Sequence, residues 1–227
     1  ALMSVFVSHF GVLPARTVVT PGRVNLLGEW VDFSGGLVLP MSLPLAVTIE
    51  ASPNGTAEGV VVSAPVEGEA RFGVDAPRAR HWGDYVRGAL QLARAEGLIA
   101  GGYNVALAST VPHGSGLSTS AAVSVGTFLA VLAETPAPDL VKVSVMARKV
   151  ENDFIGVPCG IMDQMSVFQG HVIRLDCQTL SFEQAEIDFS DDEIKYGAGG
   201  GVTLMSQCHL EFDEMFAKFK SYLETLK

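Results

Sequence analysis

The sequence predicts an α+β chain, a mixed sheet with helices packed against it. Short apolar runs of strand length crowd the first third, and helix-length runs alternate with strands after it. Composition agrees: hydrophobic residues make up 48% and charged residues 18%, the balance of a core-rich globular chain.

In order, Thr17 to Val19, Val24 to Leu27, Leu45 to Ile49 and Val60 to Ser63 read as strands. A helix is expected from about Gly83 to Glu96, then a strand from Tyr103 to Leu107. A Gly/Ser-rich loop leads into an apolar, Ala-rich helix from Ala121 to Ala133, and a second helix runs from about Leu140 to Asn152. Val167 to Cys177 reads as a hairpin, with His171 beside Gly170 in a structural role at its turn. Beyond Ser190 come a glycine-rich run, G-A-G-G-G-V-T-L-M, and an amphipathic helix from Glu211 to Leu226. Phe212, Met215, Phe216, Phe219, Tyr222, Leu223 and Leu226 recur there at helical spacing, so one face needs a cover.

Three segments carry chemistry. The first is V-P-H-G-S-G-L-S-T-S-A-A, Val111 to Ala122. Gly114 and Gly116 let backbone N–H groups approach an anion, Ser115, Ser118, Thr119 and Ser120 add hydroxyls, and Leu117 lies between them. The helix that follows turns its first N–H groups and its dipole toward the same place, which suits a phosphate. A plain helix-capping turn is the competing reading.

The second is P-G-R-V-N-L-L-G-E-W-V-D-F-S-G-G, Pro21 to Gly36, where polar residues interrupt a strand-like run. Arg23 offers a planar donor fork that fits phosphate, and Glu29 and Asp32 are acceptors that fit hydroxyl groups. An edge strand with a solvated ion pair would have a similar pattern. The third is E-N-D-F-I-G-V-P-C-G-I-M-D-Q, Glu151 to Gln164, in which Asp163 sits among Ile161, Met162 and Met165. A carboxylate in that company needs a partner, unless it caps the helix beginning near Gln164.

Together these segments resemble the sugar kinases of the GHMP family, and among them the galactokinases. The galactokinase signature reads approximately P-G-R-V-N-L-I-G-E-H-T-D-Y-N-G-G; here Trp30 replaces the usual His, Val31 the Thr and Phe33 the Tyr. W-G-D-Y-V-R-G, Trp82 to Gly88, is similar to the family's W-A-N-Y-V-K-G stretch, which borders the nucleotide base. The resemblance covers roughly the first 190 residues.

It implies a two-domain GHMP kinase-like fold: an N-terminal domain over 1–190, ribosomal protein S5 domain 2-like, and part of a ferredoxin-like C-terminal domain over 191–227. It also implies ATP-dependent phosphorylation of a monosaccharide at its anomeric hydroxyl, with galactose as the first expectation. Asp163 falls on the catalytic aspartate, as base or as orienting group, and Arg23 on its partner arginine. Ser120 and Glu151 fall on the positions that hold Mg²⁺. Glu29, Trp30, Asp32 and Gly160 fall on sugar-contacting positions. Trp82 and the run Gly114, Ser115, Gly116, Leu117, Ser118, Thr119 and Ser120 fall on nucleotide-binding ones. An indole has one donor and no acceptor but adds an apolar face, so Trp30 is expected to alter the choice among galactose-like sugars.

The family's second domain is nearly as large as its first. Asp192 to Gly199 joins two family-like pieces without a recognisable linker, so the expectation is that the molecule has intervening residues this sequence omits. Other classes stay open: a non-catalytic sugar and ATP sensor acting through a protein partner, an inactive remnant, or a kinase for a different galactose-like sugar. The Glu29 and Asp32 pair disfavours mevalonate or homoserine as substrate.

A net charge of −10 leaves no basic stripe for nucleic acid, while a nucleotide can still be held by local N–H groups. Cys159, Cys177 and Cys208 are odd in number and widely spaced, which points to neither a disulfide framework nor a zinc site. A cytoplasmic location and no membrane partner are expected: no secretory leader is evident, and the longest apolar runs are too short to span a bilayer. Oligomeric state is not legible.

Overall fold

A computed structural model describes residues 4–64, 68–132, 139–167 and 171–185. The second domain expected over 191–227, with its glycine-rich run and terminal helix, lies outside the described residues, as does Ala133, the last residue expected in the Ala-rich helix.

A short helix, α1 (Val5–Phe10), opens the described chain. Ser4 caps it by accepting from the Val7 N–H, and Gly11, at φ 71°, ends it in the left-handed conformation. The main sheet contains β1 (Arg16–Asn25), β3 (Pro40–Pro53), β4 (Glu58–Ser63), β5 (Glu69–Gly73) and β6 (Tyr103–Ser109), in the order β1-β3-β6-β4-β5. β4 and β6 run parallel and every other pairing is antiparallel, so the sheet is mixed. The crossover from β4 to β6 carries α2 (Asp84–Ala95), whose Val86, Ala89, Leu90 and Ala93 are fully buried at helical spacing.

α3 (Thr119–Val131) packs on β1 and β3 and is buried nearly all round. α4 (Leu140–Lys149) begins with Asp139 accepting from the Val141 and Lys142 N–H groups. α5 (Met162–Ser166) follows. A small sheet, β2 (Leu37–Val38), β7 (Ile173–Asp176) and β8 (Phe182–Gln184), closes the far end in the order β2-β7-β8. Among the described residues no helix is long and apolar enough to cross a membrane.

The chain departs from the sequence expectations in four places. The runs at 17–19 and 24–27 belong to one bulged strand whose register shifts between Pro21 and Arg23, because Pro21 has no N–H for the ladder. The helix expected to reach Asn152 is α-helical only to Lys149. It then widens into a π-turn, Val150–Ile155, that ends at Gly156 with φ 78°. The hairpin expected over Val167 to Cys177 falls later: β7 turns back through 177–181 onto β8, and Asp176 accepts from the Gln178 and Thr179 N–H groups in that turn. α1 and β5 were not anticipated.

Close approach of α3 to the sheet depends on Gly126. A Cβ there would lie 2.2 Å from Ile49 Cδ1 and 2.9 Å from Thr20 Oγ1, and Ile49 is fully buried with nowhere to swing. Gly126→Ala is therefore expected to destabilise the chain by about 1–3 kcal/mol through overpacking, despite a gain of about 1 kcal/mol in helix propensity. Thermal unfolding of the full chain checks this, and an unchanged or raised midpoint would contradict the packing described.

Candidate active site

The bulge in β1 aims Arg23 at the glycine loop and at α5. The Arg23 N–H donates to the Leu117 carbonyl at 3.1 Å, and Nη1 donates to the Gly116 carbonyl at 2.9 Å. Gly22 allows this seam to close: a Cβ there would sit 2.9 Å from the Leu117 oxygen. Nε donates to Asp163 Oδ1 at 2.8 Å, and Nη2 donates to the same oxygen. The pair is partly sheltered, with side chains 13% and 27% exposed. Asp163 does not cap α5. Ile161 precedes that helix without a side-chain cap bond, and Asp163 stands in its first turn facing Arg23.

The loop has the conformation its glycines permit, with φ 69° at both Gly114 and Gly116. Ser115 Oγ donates to the Pro112 carbonyl at 2.8 Å. Ser118, just before α3, is itself left-handed at φ 61° and gives the helix no side-chain cap; its hydroxyl is buried without a protein partner. Helix N–H groups at that end are thus left for something else to satisfy.

Ser120 and Glu151 meet across the site, Ser120 Oγ donating to Glu151 Oε2 at 3.2 Å. Gln164 Nε2 donates to Glu151 Oε1 at 2.8 Å. Glu151 is thus a buried group and not an exposed residue beside Lys149. Burial first, and then the negative charge of Asp163, push its carboxyl up to about 7.

Asp32 is half-buried against Gly160, where a Cβ would fall 2.0 Å from its Oδ2. Burial and then Asp163 raise its pKa as well. Glu29 and Trp30 lie on an exposed turn. Trp30 is left-handed at φ 62°, rare for a bulky residue, and stacks edge-on with Phe33 at 6.0 Å between ring centroids. Cys159 is held by Asn152: its N–H donates to Asn152 Oδ1 at 2.9 Å, and burial pushes its thiol up to about 12.

A cleft of about 440 Å³ runs over Arg23, Asp163 and the glycine loop; Glu29, Trp30, Asp32, Gly160 and Glu151 are not among its lining residues. Arg23, Asp163 and Ser118–Ser120 line its polar end; Val47, Trp82, Leu107 and Val123 give it apolar wall. Tyr85 and His113 also line it, and sequence reasoning assigned them nothing. Gln164 was missed too, although a glutamine inside I-M-D-Q-M, fully buried, was a signal. Among the described residues, no cluster of three or more His, Cys, Asp or Glu side chains is arranged to hold a metal ion.

This fold and site define a class. The GHMP kinases N terminal domain matches residues 84–171, and the galactokinase galactose-binding signature matches residues 4–53. A Lactococcus lactis galactokinase solved with galactose superposes with a TM-score of 0.74 at 26% identity, over 96% of this chain and 59% of that one. A Methanococcus jannaschii mevalonate kinase gives 0.63 at 20% identity, over 79% and 57%. A D-glycero-D-manno-heptose 1-phosphate kinase from Bacteriodes thetaiotaomicron gives 0.60 at 17%, over 76% and 60%. The last two show the fold alone. Residues 84–171 carry the GHMP kinases N terminal domain, and the chain resembles the GHMP kinase family. It bears the galactokinase signature, and it spans less than two thirds of each relative's length.

Glu151 links the site to pH. Its folded pKa, about 7, lies above the ordinary 4.5, so its contribution is fully present below about pH 4.5 and is lost as pH rises through 7. Above that, the buried charge costs roughly 3 kcal/mol. Glu151→Gln can still accept from Gln164 and can donate to Ser120. Its stability advantage over wild type is expected to widen between pH 5 and pH 8 in urea unfolding; an advantage equal at both would contradict the assignment.

Proposed function

We propose that this chain is the reacting part of an ATP-dependent sugar kinase that phosphorylates the anomeric hydroxyl of galactose or a galactose-like monosaccharide. The observation that carries this reading is the Arg23–Asp163 pair, set at the polar end of the cleft between the glycine loop and Asp32.

Both Arg23 bonds fall on Asp163 Oδ1, which leaves Oδ2 to face a sugar hydroxyl. The hydroxyl oxygen bonds to the terminal phosphorus of ATP as the bond from that phosphorus to the bridging oxygen breaks. Its proton passes to Asp163, and ADP leaves. Arg23 holds the Asp163 carboxyl in place and offsets charge on the transferred group, while the N–H groups of the loop and the start of α3 hold the phosphates. Phosphoryl transfer asks for little covalent help, so positioning of this kind supplies most of the acceleration.

A divalent cation fits the same end. Ser120 and Glu151 offer paired oxygens there, Ser120 Oγ lying 3.2 Å from Glu151 Oε2. These two residues would hold Mg²⁺, with phosphate oxygens and water completing its shell. When bound, the ion neutralises charge on the phosphates.

Asp32, ordered against Gly160, and Glu29 are the acceptors for sugar hydroxyls, and Trp30 offers the ring a flat apolar face. Lacking the acceptor nitrogen of histidine, Trp30 is expected to shift preference among hexoses. On a panel of galactose-like sugars, Trp30→His should change the ratio of kcat/KM values; an identical profile would remove Trp30 from specificity.

ATP consumption with galactose and Mg²⁺ tests the main reading. Galactose-dependent turnover is expected, falling at least 100-fold in Asp163→Ala. A chain that binds nucleotide but turns over none of the sugars would instead favour a sugar and nucleotide sensor.

A further inference from the structure

Asn152 follows Glu151 in the π-turn, and its side chain reaches the loop that leads into α5. Its Oδ1 accepts from the Cys159 N–H at 2.9 Å and from the Cys159 thiol at 3.2 Å, and its Nδ2 donates to the Cys159 carbonyl at 3.4 Å. One amide thus serves both backbone groups of a single residue, as a neighbouring strand would. The turn that carries Asn152 is held by other bonds. The Val157 N–H donates to the Glu151 carbonyl at 2.9 Å, and Arg78 Nη1 donates to the Ile155 carbonyl.

The carbonyl that Asn152 holds belongs to the peptide joining Cys159 to Gly160, so the plane of that peptide is fixed. Asp32 rests on it: a Cβ on Gly160 would lie 2.0 Å from Asp32 Oδ2. Asp32 itself is placed by its own turn, in which the Val31 carbonyl accepts from the Ser34 N–H at 3.1 Å and from the Gly36 N–H at 2.8 Å. The acid is therefore set locally, and the surface it meets is set by Asn152. Widening of the turn sends two consecutive side chains to different places: Glu151 to Ser120 and Gln164, and Asn152 to the loop.

We propose that Asn152 is a positioning residue for sugar binding: its amide holds the Cys159–Gly160 peptide against Asp32, so that carboxyl and loop backbone offer a sugar hydroxyl one preformed surface. It acts through that peptide and not by touching the sugar. Without the amide, the loop keeps its ends at the π-turn and at α5 but loses the hold between them, and sugar binding must then supply the order. Arg23, Asp163 and the glycine loop are held by bonds of their own, so nucleotide affinity stays as it was. This rests on the reading that Asp32 and Gly160 meet the sugar.

Equilibrium dialysis of the full chain against labelled galactose, and separately against labelled ADP, tests it in wild type, Asn152→Ala and the near-isosteric, uncharged Asn152→Leu. Both variants are expected to stay folded by circular dichroism, since the bonds at the two ends of the loop remain. In each, the galactose dissociation constant should rise about five- to tenfold, the worth of one or two ordinary hydrogen bonds, while that for ADP stays within about twofold. Selective loss of the sugar is what a general loosening of the fold would not produce. Unaltered galactose affinity, an equal loss for galactose and ADP, or failure of both variants to fold would each overturn the proposal. If wild type itself retains no galactose, the reading of Asp32 and Gly160 as a galactose site fails first and this proposal goes with it, an outcome distinct from a defect confined to the Asn152 variants.

Discussion

The candidate site depends on one ion pair. Arg23 and Asp163 lie 140 residues apart in sequence, one at the bulged end of β1 and one in the first turn of α5. The same guanidinium also donates to the Gly116 carbonyl, so a single side chain ties an edge strand, the glycine loop and a short helix into one corner. Planarity matters here: only an arginine has enough donors, in a fixed fork, to serve a carboxylate and a carbonyl at once. Without it, Asp163 would sit beside Asp32 and Glu151 with no cation, and the raised pKa values of those two groups already reflect its charge.

Glycine makes the rest of the corner reachable. Gly22 lets β1 lie against the loop, Gly88 lets α2 lie against the π-turn, and Gly160 leaves the space that the Asp32 carboxyl fills. In each case a Cβ would meet an atom at 2.9 Å or less. These are demands of packing, not of φ. At Gly114 and Gly116 the demand is the opposite one, a left-handed backbone, and at Gly114 the space around it is open.

This difference explains what could be read from the sequence. The glycine loop and the start of α3 were legible because turn chemistry and helix-start signals are local, and the mixed α+β character was legible from run lengths. The polar residues of Pro21 to Gly36 and Glu151 to Gln164 stood out because polar groups inside apolar runs need partners, but which partner each one finds is decided over long range. The π-turn was illegible: one extra residue in a helical turn leaves no compositional mark, yet it sets where Glu151 and Phe154 point. β5 was short, and the hairpin of β7 was placed too early because Gly170 gave a turn signal before the Asp176 turn did. Tyr85 was hidden inside a stretch read only for its tryptophan.

The charge balance of the site follows from these placements. Asp32, Glu151 and Asp163 gather around the paired guanidinium of Arg23, and the two not bonded to it have raised pKa values, burial being the larger cause and Asp163 the next. A polyphosphate arriving at the adjacent loop would add more negative charge. Neutral dipoles meet part of that need: helix N–H groups that no side chain caps, and the buried Ser118 hydroxyl. They cannot offset it all, since Glu151 remains a buried acid poised near neutrality with its oxygens turned to hydroxyl and amide donors rather than to a cation. A small divalent ion arriving with the phosphates would satisfy both deficits together, drawing the Glu151 pKa down and screening the anion from Asp163. On the proposed reading, nucleotide affinity and the protonation of Glu151 would be coupled, because the same buried corner would have to accommodate both.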